Sequence, residues 1–282
     1  MTPQRKVPIT MSIVTHLHPS EPARPPFVET SVSLTLAGSV KLIARTGGMG
    51  WLTGGRGIGK TYYFEHRLET DAARFGISVK YIVLNALSGK SPRAFAEELC
   101  GRTPPDLATA YRWTEAAMSN LIYPAFGGPA SPSVLIIDEA QFARGELMSM
   151  LRGIWDSWEP ERRAARCEGR APVLPGLVMI GNRVFAQGSG VAKTEEYRRW
   201  ADRLLIRGTL ERPSVADCAA VAATFPCADA EAPALLEEIG AKRSNLRVME
   251  RAYRHAHELA PAGQLPGAAE IKEAIETHRR MT

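Results

Sequence analysis

The run Gly54-Gly55-Arg56-Gly57-Ile58-Gly59-Lys60-Thr61 fits the pattern G-x-x-x-x-G-K-[ST] at every fixed position. The spacing has a chemical reason. Successive backbone N–H groups must converge on a polyphosphate, and bulky Cβ atoms would hinder that approach. Gly55, Gly57 and Ile58 read as compact or flexible positions that let the chain wrap closely. The helix that follows turns its positive end toward the same anions. Lys60 is then placed to reach the β- and γ-phosphates, and the Thr61 hydroxyl to sit on Mg²⁺. Together these residues predict a nucleoside-triphosphate site.

A second group of residues has the chemistry to complete such a site. Asp138-Glu139 closes the apolar run Val134-Leu135-Ile136-Ile137, which reads as a strand buried on both faces of a parallel sheet. Beside a phosphate loop, Asp138 would enter the Mg²⁺ shell and Glu139 would polarise a water for in-line attack. Asn182 follows another buried run, Leu177–Ile180, where its amide could hold that water. Tyr197-Arg198-Arg199-Trp200-Ala201-Asp202-Arg203 offers guanidinium groups that could reach a neighbouring subunit's γ-phosphate, with Arg198 read as part of a solvated face. Arg247, in Ser244-Asn245-Leu246-Arg247, starts a helix from which it could reach the nucleotide.

The elements that must position these groups alternate. Val28–Arg45 has helical spacing of Val32, Leu36, Val40 and Ile43, and Met49–Leu52 is a short strand before the loop. Thr61–Phe75 reads as one helix. Ile77–Leu84 is a β-branched strand. Ser91-Pro92 places a capping hydroxyl before a proline and so opens a helix. A second helix runs from Asp106 to about Tyr123. After Val134–Ile137 a helix spans about Gly145–Trp158, the arginine-rich segment 159–175 reads as a loop, and Leu204–Ile206 is the last strand. From Ser214 the pattern is helical only, in four segments. Strands alternating with helices predict a parallel α/β sheet flanked by helices, with a C-terminal α-helical lid. The expected units are a proline-rich arm over 1–27, an α/β nucleotide-binding unit over 28–210 and a helical lid over 211–282.

Composition narrows the classes. Of the residues, 45% are apolar and 23% charged, and 35 basic residues face 30 acidic ones for a net charge of +5. That is ordinary for a globular chain and compatible with a polyanionic partner without demanding one. The four cysteines form no C-x-x-C pair and no zinc spacing, so reduced thiols are expected. No run of about 18 apolar residues occurs, and prolines and histidines interrupt the N-terminus, against a secretory signal. A cytoplasmic protein is the expectation.

The order of loop, Asp-Glu, Asn, Arg and helical tail carrying an Arg resembles the AAA+ ATPases over roughly residues 30–280. In that resemblance Gly54–Thr61 is Walker A, Leu135–Glu139 is Walker B, Asn182 is sensor 1 and Arg247 is sensor 2. Asp138-Glu139-Ala140-Gln141 with Ile180-Gly181-Asn182 is similar to the transposition ATPases of the MuB, TnsC and IstB group. The resemblance implies ATP with Mg²⁺, and an arginine finger before an apolar strand, where Arg203 stands first and Arg199 second. It further implies a homo-oligomeric ring or filament on duplex DNA, a partner transposase, and Lys90, Ser91 and Arg93 facing DNA from the loop after the second strand. The cluster Arg162, Arg163, Arg166 and Arg170 is a second candidate for DNA contact. No base-reading element is recognisable, so sequence-neutral binding is expected. A helicase-loader-like replication ATPase or a nucleotide-gated scaffold with little turnover remain open as alternatives.

Overall fold

The computed structural model describes residues 26–122, 131–170, 173–182 and 199–280. Helix α1 (Ser31–Thr46) starts at a capping box, in which Thr30 and Ser33 bond each other's backbone, and stops at left-handed Gly47. Strand β1 (Met49–Thr53) leads into the phosphate loop, followed by α2 (Lys60–His66) and α3 (Leu68–Phe75). The single helix expected over Thr61–Phe75 is thus broken at Arg67, whose backbone leaves the helical region at φ −128°. Then come β2 (Ser78–Val83), α4 (Pro92–Cys100), α5 (Leu107–Ile122), β3 (Ser133–Asp138), α6 (Gly145–Ser157), α7 (Glu159–Cys167), β4 (Gly176–Gly181) and β5 (Ile206–Thr209). The Ser91 hydroxyl caps α4, accepting from the Ala94 N–H at 3.3 Å, as its place before Pro92 predicts.

The five strands among the described residues pair in parallel in the order β2-β3-β4-β1-β5. β3 and β4 are central and buried along their whole length, which is why they read as unbroken apolar runs. Helices α1, α2 and α3 pack on one face around Leu36, Ile43, Tyr63 and Phe64. Helices α4, α5 and α6 cover the other, around Phe95, Leu99, Leu147 and Ile154. The sheet order places the end of β3, with Asp138, beside the end of β4 with Gly181, and Gly181 accepts from the Gly54 N–H at 3.0 Å. The phosphate loop and the acidic pair are therefore held together by strand topology, at the carboxyl ends of the strands.

Two expectations need correction. Residues 159–167 form helix α7, not a loop. Pro160 lies in its first turn, where it breaks no helical bond. Arg162 is buried, its guanidinium 3.7 Å from the centre of the Trp155 ring and donating to the Trp155 carbonyl at 2.9 Å. Arg170 pairs with Glu168 and Glu161. The cluster is thus partly structural, and the Arg166 side chain lies outside the described residues. The last strand is Ile206–Thr209, shifted from Leu204–Ile206. As an edge strand with an alternating, half-exposed pattern it has no apolar run to betray it.

After Leu210 the chain folds into α8 (Val215–Ala222), α9 (Glu231–Arg243), α10 (Leu246–Leu259) and α11 (Ala268–Arg280), packed around Leu236, Met249, Tyr253 and Ile271. Asp217, 8% exposed, ties this unit to the start of α1. Its carboxylate accepts from the Ser31 N–H (2.8 Å) and hydroxyl (2.6 Å) and from the Ser214 N–H (2.8 Å) and hydroxyl (2.9 Å). Burial pushes the Asp217 carboxyl up, but these hydrogen bonds outweigh it and hold it below the ordinary carboxylate value. A depressed folded pKa stabilises above the unfolded value, about 3.9, and that contribution is lost as pH falls through the folded one. Asp217→Ala is expected to lose about 1–2 kcal/mol at neutral pH, because four donors at two helix starts lose a charged acceptor while staying within reach of water. Urea midpoints for both proteins should converge as pH falls below the ordinary carboxylate value. A constant difference down to pH 2 would show that the loss is packing and not this carboxylate.

No helix among the described residues is long and apolar enough to cross a membrane.

Candidate active site

The phosphate loop is held open by glycine where the geometry demands it. Gly57 and Gly59 have φ of +73° and +97°, a region that side-chain-bearing residues rarely enter. A Cβ on Gly57 would also lie 2.0 Å from Asn245 Oδ1, at the start of α10, and one on Gly54 would meet Ile58 Cδ1 at 2.7 Å. Ile58 is buried. It anchors the loop by packing and does not add freedom, contrary to the sequence expectation. A Cβ on Gly55 would touch only Ile58 Cγ2 at 3.6 Å, so that position is the permissive one. Arg56 is exposed at the rim of the cleft.

Lys60 Nζ donates to the carbonyls of Gly55 (2.7 Å) and Gly54 (3.2 Å). Burial pulls its ammonium below the ordinary lysine range; Asp138 and Glu139 pull it back up, and Arg247 adds to the lowering. A partly desolvated ammonium held beside the loop can receive anionic oxygen. Thr61 Oγ1 donates to Asp138 Oδ2 at 3.0 Å, and the Glu139 N–H to Asp138 Oδ1 at 2.7 Å. Asp138 is fully buried. Burial pushes its carboxyl up, against the lowering effect of the hydrogen bonds it accepts. A hydroxyl and one carboxylate are a sparse donor set that suits Mg²⁺, which keeps waters and takes phosphate oxygens alongside few protein ligands.

Glu139 sits in the left-handed region, φ 53°, which turns its side chain out of the strand direction and into the cleft, where it is part of the lining. Gln141 joins it to Asn182: its Nε2 donates to Glu139 Oε2, and its Oε1 accepts from the Asn182 N–H at 3.2 Å. The structure thus brings Lys60, Thr61, Asp138, Glu139 and Asn182 to one place. Arg247 joins them from the helical unit. The N–H groups of Leu246 and Arg247 donate to the Gly57 carbonyl at 2.9 and 3.3 Å, so the start of α10 rests directly on the phosphate loop.

The cleft between sheet and helical unit has a volume of about 620 Å³. Its lining also includes Phe27, Val28, Tyr62, Val221, Phe225 and Tyr253, with Phe27 stacked on Tyr62 at 6.0 Å between ring centres. Such a mix of an apolar, aromatic wall and a polar anion end suits a nucleotide. The sequence gives no sign of this aromatic wall, of the bridging role of Gln141 within its Asp-Glu-Ala-Gln motif, or of Tyr81, whose hydroxyl donates to Asp138 Oδ2 at 3.1 Å. Only the alternation of β2 and the adjacency of β2 to β3 could have pointed to Tyr81.

Other candidate residues lie away from the cleft. Arg203 forms a two-point pair with Asp156 (2.9 and 3.3 Å) and donates to the Arg199 carbonyl at 2.6 Å; neither arginine lines the cleft. Arg198 lies outside the described residues. Lys90 is exposed. The Ser91 hydroxyl serves α4, and the exposed Arg93 donates to the Pro104 carbonyl at 3.1 Å.

A parallel sheet in this strand order, with a phosphate loop after the inner strand β1 and an acidic pair closing β3, defines a P-loop NTPase of the AAA+ architecture. Residues 43–167 match the AAA domain family model. The chain is similar to the ATP-dependent target DNA activator B of Escherichia phage D108, 24% identical over 236 residues that cover 83% of this chain and 67% of that protein. This upholds the resemblance to transposition-type AAA+ ATPases. Among solved structures, the Aeropyrum pernix ORC1 protein in complex with DNA superposes with a TM-score of 0.58 at 20% identity, over 90% of this chain and 67% of that one. The ORC2 protein of the same organism, in ADPNP and ADP complexes, gives 0.58 at 16% identity over 92% and 70%. At such identities these two speak for the fold alone.

Proposed function

We propose that this chain is an ATP-dependent DNA-binding AAA+ ATPase that assembles on duplex DNA and recruits or regulates a transposase, with hydrolysis driving disassembly. The observation that carries the reading is the convergence of Lys60, Thr61, Glu139 and Asn182 on one cleft, with Asp138 bonded behind Thr61 and the start of α10 bonded to the phosphate loop. Similarity to a protein named as a target DNA activator supports the DNA and transposition parts.

In this reading ATP lies with its base at the aromatic wall and its phosphates on the loop amides and Lys60. Thr61 and Asp138 would hold Mg²⁺, which when bound would supply positive charge to the phosphate oxygens. Glu139 takes a proton from the attacking water, and Asn182 orients that water. Arg247 bears on the nucleotide from the helical unit, residues 211–282, which acts as a lid on the 28–210 unit. The finger is Arg203, acting on a neighbouring copy, with Arg199 second. To act so it must exchange Asp156 for phosphate, which would couple subunit contact to turnover.

DNA would be met by Lys90 and Ser91, at the end of the loop between β2 and α4, and by Arg93 in the first turn of α4. Imaging the protein with duplex DNA should show rings or filaments with ATP and none without it. ATP-independent binding as a monomer would overturn the reading. Alanine at Lys90 or Arg93 should weaken binding to unrelated duplexes about equally. It should also lower the salt slope by roughly 0.9 for each DNA phosphate that a subunit no longer neutralises. A double variant with an unchanged slope would remove this loop from the interface.

A further inference from the structure

The buried carboxylate Asp138 is served by a group from a third element, outside both the phosphate loop and β3. Tyr81 lies on β2, the edge strand beside β3, in parallel register opposite Ile136. Its hydroxyl reaches along the sheet to donate to Asp138 Oδ2 at 3.1 Å, the oxygen that also accepts from Thr61 at 3.0 Å. Among the described residues the phenol bonds nothing else. Its ring is fixed by stacking on Phe64 of α2, with centres 5.1 Å apart and planes 23° apart. The packing leaves the hydroxyl little choice of direction, and it points at one oxygen of one carboxylate.

We propose that Tyr81 is a positioning residue for Asp138: it fixes the carboxylate rotamer that meets the divalent cation, and so sets the cation affinity of the nucleotide complex. The inference rests on reading the cleft as a Mg²⁺–nucleotide site and deepens it. Of the two hydroxyls on Oδ2, that of Thr61 belongs to the phosphate loop and is itself a candidate cation ligand. The Tyr81 hydroxyl comes from the sheet and is independent of the loop. A carboxylate held by one fixed donor keeps its orientation while the other hydroxyl turns to the cation. Partners of this kind, one bond beyond the ligand, commonly govern metal affinity by roughly 10–100-fold.

Tyr81→Phe tests this, because it keeps the stacked ring and deletes only the donor. Affinity for a fluorescent ATP analogue is measured in EDTA and across a Mg²⁺ series, and cation binding is followed directly by Mn²⁺ paramagnetic resonance with nucleotide present. The expected result is an affinity in EDTA within about twofold of wild type, with the half-saturating cation concentration raised about tenfold. In an Asp138→Asn background the same substitution should produce no further shift, since the two act through one oxygen. An unchanged cation midpoint in Tyr81→Phe would overturn the proposal. So would a shift that persists in full in the Asp138→Asn background, which would mark a packing effect. Wild-type protein whose nucleotide binding ignores Mg²⁺ would instead overturn the site reading itself, and this proposal with it, so the two failures are told apart by which protein shows them.

Discussion

Lys60→Ala is expected to weaken ATP binding about 100-fold, a loss of about 3 kcal/mol, and to abolish ATP-dependent assembly on DNA. The loop amides alone cannot balance a triphosphate. They carry partial charges, whereas Lys60 is a full charge, already partly desolvated in the cleft. In the present geometry its ammonium is satisfied by the carbonyls of Gly54 and Gly55. Binding would exchange those neutral acceptors for anionic oxygens, which are roughly twice as strong as partners. The alanine variant forfeits that exchange. The loop itself should persist, since Ile58 packing and the Gly54 bond to Gly181 do not involve the lysine. Calorimetric titration with ATP and a thermal melt measure the two separately. Equal affinity in wild type and variant would refute the assignment of the loop.

What could be read from sequence follows from how local the chemistry is. The phosphate loop must be contiguous, because adjacent amides build it, and so its eight residues identify it. Asp138-Glu139 was legible because two carboxylates ending four buried apolar residues stand out against a strand. Groups whose role depends on which strand neighbours which were not legible. Tyr81 looks like any aromatic residue in a β-branched strand until β2 is found beside β3. Asp217 carries no signal of its own in the sequence, and only the fold brings Ser31, 186 positions earlier, into its reach. The docking of Asn245 and Leu246 on Gly57 is hidden for the same reason. Helix α7 was masked by its own charge: the burial of Arg162 against Trp155 supplies an apolar contact that arginine's usual polarity conceals.

Glu139→Gln is expected to lower ATP turnover by at least about 100-fold while leaving ATP affinity within a few-fold, so that complexes on DNA become long-lived. The separation follows from position. Glu139 does not touch the loop carbonyls or Thr61; its backbone N–H holds Asp138, and its side chain is bonded by Gln141. Glutamine preserves that backbone donor and retains an oxygen for Gln141. The left-handed φ of 53° costs both residues alike. What glutamine lacks is a lone pair basic enough to accept a proton from water, and positioned bases of this kind contribute roughly 10²–10⁴ in rate. The Gln141 bridge to Asn182 sharpens the expectation, since it holds the carboxylate and the adjacent amide as one unit. Released phosphate, measured with and without duplex DNA alongside the lifetime of the DNA complex, decides the matter. Hydrolysis persisting within a few-fold of wild type would place the base elsewhere. A fall in ATP affinity as large as the fall in turnover would mean that Glu139 supports the binding site and does not act on water.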